Sequence, residues 1–284
     1  TECWEIIAQS LAKESTQHFY SGAFGEKWKV YTQKLVKNVS MCQFGINEKL
    51  PVDQLDNSAE IICVTHNETS NGTCVNDKIM RKLAKARSGG QLLAYDATSS
   101  MAGVHLPWEH GDIWYASVQK CFGLPAGLAL LVLSPAAVAR AQEVGENHHY
   151  NSLLRILENA GKEQTHHTPN VLNIYLLKRT QELSQGIEHT EEKVMKRSRF
   201  WSEFVTDLKQ FELLSADEDI RSHTVLAVRT AKPEKVRNMA AAAGFALGSG
   251  YGEWKPDSFR IANFPAIKRR EIEALANFFR KNFG

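Results

Sequence analysis

Two short strings carry the chemistry: Tyr95-Asp96-Ala97-Thr98-Ser99-Ser100 and Ser117-Val118-Gln119-Lys120-Cys121-Phe122-Gly123, which set an acid and an amine 24 positions apart (96 to 120). Each follows a short apolar run that reads as a buried strand, and in α/β sheets the carboxyl ends of strands are where ligands sit. A carboxylate and a lysine are therefore delivered to one crevice. Pyridoxal phosphate chemistry uses such a pair: the lysine amine holds the cofactor covalently, and the carboxylate keeps the pyridine nitrogen protonated so that the ring accepts electrons. Spacing alone leaves a second reading open, with Asp96 capping the turn after its strand and Lys120 a solvated loop residue.

The elements that must place these groups are legible in outline. Apolar runs at 61–64, 92–95, 113–116 and 128–133, with a helical stretch at 77–86 closed by Gly89-Gly90, indicate strands buried on both faces and a largely parallel sheet. Residues 1–12 read as a helix with Glu2 and Glu5 in its first turn, where acids suit the helix dipole. Beyond Ser134-Pro135 the chain turns helical, and 170–208 reads as a long connecting helix broken at Gly186. A strand at 224–228, a helix at 233–242, a strand at 258–261 and a final helix at 268–279 form a smaller α+β unit. The expected division is a large domain over 1–180 and a small one over 181–284, the latter including the end of the connecting helix.

Composition bounds the function. Of 284 residues, 43% are hydrophobic and 23% charged, which excludes a disordered or collagen-like chain. With 34 basic against 32 acidic side chains the net charge is +2, so nothing drives binding to nucleic acid or an anionic membrane. No apolar run nears the roughly 20 residues of a spanning helix, and no basic-then-apolar signal opens the chain. The five cysteines are widely spaced and the adjacent pairs His148-His149 and His166-His167 diverge, so no metal site is expected and a reducing cytoplasm fits best. The sequons at Asn38, Asn67 and Asn71 read as chance matches.

The string from Ser117 to Leu128 resembles the lysine motif of phosphoserine aminotransferases, members of the class V group of fold-type I pyridoxal phosphate enzymes. Four further segments agree in order and spacing: Gly22-Ala23-Phe24, Asn67-Glu68-Thr69, His167-Thr168-Pro169 and Phe259-Arg260-Ile261-Ala262-Asn263. The similarity runs from Thr1 to the final helix. It implies an α/β fold-type I transferase and a homodimer whose sites draw on both chains. It also implies roles. Lys120 would carry the cofactor and shuttle the substrate proton, Asp96 would pair with the ring nitrogen, and Phe24 would cover the ring. Thr69 would hydrogen-bond the cofactor and Gln119 help hold its phosphate, while His167 and Thr168 would reach the phosphate of the partner subunit. Arg260 offers a planar fork to a substrate carboxylate.

The implied reaction is amino transfer between L-phosphoserine and 2-oxoglutarate, in serine biosynthesis. An alanine– or serine–glyoxylate (or pyruvate) transaminase of the same class is a second reading, and an inactive remnant serving as a scaffold a third. Relatives carry a further segment ahead of Thr1 with a substrate-contacting His-Arg pair and a phosphate-binding turn, so the chain reads as cut at its N-terminus. His167 stands where the family has Asn, and a His-Arg pair common before the carboxylate Arg is missing, which leaves Lys255 as the expected cation for a substrate phosphate. Ordinary readings stay beside these: Phe24 as core, Thr69 as a turn hydroxyl, Arg260 in a surface ion pair, and Thr168 as cap of a helix starting at Pro169.

Overall fold

Strands with apolar side chains on both faces must be covered on both sides, and that need organises the first half of the chain. In the computed structural model, which describes residues Thr1–Gly284, the strands of this half are β1 (Ser15–Tyr20), β2 (Asn38–Gln43), β3 (Ile61–Thr65), the short ribbon β4 (Asn67–Glu68) and β5 (Thr73–Cys74), β6 (Leu92–Asp96), β7 (Ile113–Ser117) and β8 (Ala129–Leu133). Six of them form one sheet in the order β2-β1-β3-β6-β7-β8, parallel except for β8, which runs antiparallel to β7. Alternation along β3 shows the two-sided cover. Ile62 and Val64 enter a core with Met80 and Leu83 of α3 (Asp77–Ala86), while Ile61 and Cys63 enter another with Ile7 and Leu11 of α1 (Glu2–Leu11) and Trp28 of α2 (Ala23–Thr32). Helices α4 (Pro135–Val144) and α5 (Leu153–Ala160) complete that second face.

The connecting segment is two helices, α6 (Val171–Leu183) and α7 (Ile187–Thr206), separated at Gly186, whose φ of +95° suits only glycine. Asn170 caps α6 by accepting from the Asn173 amide at 3.2 Å. The helix thus starts two residues after Pro169, and Thr168 is not its cap. A second sheet follows, with order β11-β12-β10-β9, built antiparallel from β9 (Glu212–Leu213), β10 (Val225–Arg229), β11 (Gly248–Ser249) and β12 (Ser258–Ala262). With α8 (Pro233–Ala242) and α9 (Arg269–Phe283) it encloses an aromatic core of Trp201, Phe204, Phe211, Phe259 and Phe279.

The β4–β5 ribbon joins the two sheets. Gly72, at its tip, has φ +75° and accepts from the Ser222 amide at 2.8 Å, and a Cβ there would lie 2.9 Å from the Ala227 nitrogen. Beside it, Asn67 Nδ2 donates to Ser99 Oγ at 2.7 Å and to Thr224 Oγ1 at 3.1 Å, linking β4, the loop after β6 and the second sheet in a buried network. Asn67 and Asn71 are buried, so a glycan has no access to either sequon. All five cysteines are free, and no helix is long and apolar enough to cross a membrane.

Candidate active site

Parallel strands point their carboxyl ends the same way, and here β6 and β7 end side by side, with Asp96 opposite Tyr115 in register. The chain beyond β7 then doubles back through a turn into β8, carrying Lys120 over the strand ends. Between them lies a cavity of about 440 Å3, lined among others by Asp96, Thr98, Gln119, Lys120, Phe24 and Thr69. Its size falls in the range of roughly 300–1,000 Å3 usual for small-molecule sites. Residues Thr1 to Trp4 line it too.

Asp96 is buried, 7% exposed, and its Oδ1 accepts from the Thr98 amide at 2.9 Å. Lys120 Nζ lies 3.5 Å from Thr69 Oγ1 and 5.2 Å from the centre of the Phe24 ring. Burial pulls the Lys120 pKa below the usual amine value, against the opposing pull of the Asp96 and Glu68 charges. A less basic amine is a better nucleophile and a better proton carrier near neutrality. Gln119 is exposed at the cavity wall and accepts from Ser117 Oγ at 2.5 Å.

Glu68, whose role the sequence did not suggest, fixes the ring that faces the lysine. Fully buried, its carboxylate accepts from the amides of Phe24 and Gly25, both at 3.1 Å, and from the Ser70 amide and hydroxyl at 3.0 and 2.6 Å. A carboxylate on the first turn of α2 complements that helix end; burial raises its pKa, and the Ser70 and Gly25 donors oppose the rise.

Arg260 lies just outside the lining, half-buried, on β12. Its Nη1 donates to the Thr69 carbonyl at 2.9 Å and its Nε to the Ser249 carbonyl at 2.8 Å, which leaves three of its five N–H donors for a carboxylate. The sheets are thus joined at Thr69, which meets both Lys120 and Arg260. Tyr251 stacks on Phe24 with ring centres 5.0 Å apart, and Lys27, one turn after Phe24, donates to the Tyr251 hydroxyl with its Nζ 4.8 Å over that ring. Sequence reading missed Lys27 because Tyr251 reaches it from 224 residues away. Lys255, the expected cation, is exposed after the Gly252–Trp254 turn and does not line the cavity. His167 and Thr168 are also exposed and outside the lining, with His167 Nε2 3.0 Å from the Tyr150 carbonyl.

A mostly parallel sheet that brings a buried carboxylate and a lysine to one cavity at its strand ends, with a second smaller sheet holding an arginine beside it, is the arrangement of fold-type I pyridoxal phosphate-dependent transferases. The family model for class-V aminotransferases matches residues 34–256, and the chain belongs to that family of pyridoxal phosphate-dependent aminotransferases. It is 25% identical over 287 residues to a phosphoserine aminotransferase of Corynebacterium glutamicum, covering 97% of this chain and 75% of that protein. A crystal structure of a phosphoserine aminotransferase from Cytophaga hutchinsonii superposes with a TM-score of 0.94 at 27% identity, covering 100% of this chain and 81% of the other. An alanine–glyoxylate aminotransferase from Nostoc has the same fold, with a TM-score of 0.87 at 17% identity, covering 99% and 78%.

Proposed function

We propose that the chain transfers an amino group between L-phosphoserine and 2-oxoglutarate on pyridoxal phosphate, as a homodimer in a reducing cytoplasm, where the reaction serves serine biosynthesis. The observation that carries the chemistry is the joint placement of Asp96 and Lys120 in one polar cavity. The donor set fits the cofactor: a buried carboxylate for a ring nitrogen, an amine for an aldehyde, the Phe24 face for the ring, the Thr69 hydroxyl, and Gln119 for a phosphate. Pyridoxal phosphate, when bound, supplies the aldehyde that takes up the amino group and the ring that accepts electrons. Asp96 holds the proton on the ring nitrogen. Lys120 Nζ would hold the aldehyde group and would be the base that takes a proton from the substrate α-carbon and later returns one. Arg260, tethered through Thr69, fixes the substrate carboxylate and with it the angle of the α-C–H bond.

Phosphoserine is supported by the relatives named above and by charge at the cavity mouth. A dianionic phosphate needs cations, and beyond Lys120 and Arg260 there is Lys27, outside the lining but held against Tyr251 and 5.9 Å over the ring of Phe24, which does line the cavity. Phosphoserine with 2-oxoglutarate is therefore expected to give a higher kcat/KM than alanine with glyoxylate, and the advantage over serine should shrink as salt rises. Because Lys27 is exposed, Lys27→Ala should cost about five-fold in kcat/KM for phosphoserine and little for alanine. Faster alanine–glyoxylate turnover would reverse the substrate choice.

The dimer is supported by apolar side chains left in the open on and near α6: Val171 is 70% exposed, Leu172 61%, Tyr175 56% and Tyr150 63%. Single exposed apolar residues are ordinary, but a contiguous group marks an interface. His167 and Thr168 adjoin it, which suits their reaching a partner's phosphate cup. Sedimentation velocity should show a dimer, and Tyr175→Glu should shift it to monomer with weakened cofactor binding. A wild-type monomer that binds pyridoxal phosphate tightly would overturn the shared cup.

A further inference from the structure

We propose that Tyr115 is the positioning residue for Asp96: its phenol, held by the indole of Trp4, donates a hydrogen bond to the carboxylate and so fixes the orientation of the group that faces the cofactor's ring nitrogen. The inference rests on the reading of Asp96 given above, but the contact itself belongs to the polypeptide alone.

Asp96 and Tyr115 are register partners on adjacent parallel strands, so their side chains leave the same face of the sheet about 4.8 Å apart. Both line the cavity, as does Trp4. Trp4 Nε1 donates to the Tyr115 hydroxyl at 2.6 Å, in a buried contact spanning 111 positions. An indole N–H can only donate, so the phenol oxygen is the acceptor and its own proton must go elsewhere. The neighbouring acceptor is the Asp96 carboxylate, whose Oδ1 already takes the Thr98 amide. The Tyr115 ring is held edge-on by Trp28, with ring centres 5.3 Å apart. Both the Asp96 charge and a hydrogen bond to it push the phenol well above its usual pKa, adding to the effect of burial, which is the largest cause.

A second donor to Asp96 removes a rotational freedom from the carboxylate before any cofactor arrives. The other titratable groups around the pair are Cys3 on α1, Cys63 on β3, Glu68 on β4 and Lys120 beyond β7. Of these only Lys120 favours the carboxylate's charge, so the phenol is the neutral group that stabilises it without competing for the substrate.

The test uses the full chain as wild type, Tyr115→Phe and Trp4→Phe, each checked for an unchanged circular dichroism spectrum. In the protein without cofactor, the 13C signal of the Asp96 carboxyl, assigned by its loss in Asp96→Asn, is compared among the variants at one fixed pH. A hydrogen bond from the phenol shifts a carboxyl signal, so Tyr115→Phe should move it clearly and Trp4→Phe by less, since the phenol remains. With pyridoxal phosphate added, Tyr115→Phe should weaken cofactor affinity about ten-fold through the lost preorganisation of the carboxylate. If Tyr115→Phe does not fold, trifluorotyrosine at 115, a stronger donor of the same shape, should move the signal the opposite way. An Asp96 signal that moves with neither replacement overturns the assignment. Failure of the wild type to bind pyridoxal phosphate would sink the proposed function instead, and the cofactor-free signal would still decide the role of Tyr115.

Discussion

Lys120→Ala is expected to abolish measurable transamination, a loss of about 10^4-fold or more, because one side chain both holds the cofactor and moves the substrate proton. The fold should survive. Lys120 is half-buried near a strand end, the one side-chain hydrogen bond of its amine is to Thr69 Oγ1 at 3.5 Å, and its charge is disfavoured by burial, so removing it relieves a cost as well as losing a contact. A melting temperature within a few degrees of the wild type is expected. Borohydride reduction followed by peptide mapping checks the same assignment in the wild type: the pyridoxyl label should sit on Lys120, and a label on any other lysine would remove it from its role.

The second large effect is expected for Asp96→Asn. The amide keeps the shape of the side chain and can still accept from Thr98, but it carries no charge to hold a proton on the ring nitrogen. Turnover should fall by roughly 10^2- to 10^4-fold, while cofactor content changes modestly because the phosphate and the lysine still anchor the ligand. In this variant Tyr115 loses its anionic acceptor, so a further Tyr115→Phe change should add little, the non-additivity expected of residues that act as a unit. Near-normal turnover in Asp96→Asn would place the electron-sink function on another group.

What the sequence disclosed follows from what each residue is asked to do. β3, β6 and β7 were legible because both their faces are buried and apolar, and Asp96 and Lys120 because they stand at the ends of two such runs. β1 was not, although it lies within the sheet. Thr16, Gln17 and His18 are buried in it, and Gln17 is satisfied by the Gln54 carbonyl and the Asp56 amide, loop groups that no local pattern reveals. β2 was hidden for the opposite reason, as an edge strand whose side chains are mostly exposed or half-exposed. Within the site, the groups expected to touch ligand showed themselves through motifs. The pairings that fix the side chains around them, Glu68 under Phe24, Trp4 on Tyr115 and Lys27 on Tyr251, span tens to hundreds of positions and were silent.

The β4–β5 ribbon has a consequence for descent as well as for shape. Within eight residues it contributes Thr69 to the cavity wall, the carbonyl that tethers Arg260, the Asn67 network and the glycine tip that admits the second sheet. A change there is answerable to catalysis, substrate fit and domain assembly together. The outer strands and exposed helix faces have room to drift as lineages separate. The ribbon has almost none, so a change that alters ligand fit is expected around it rather than within it.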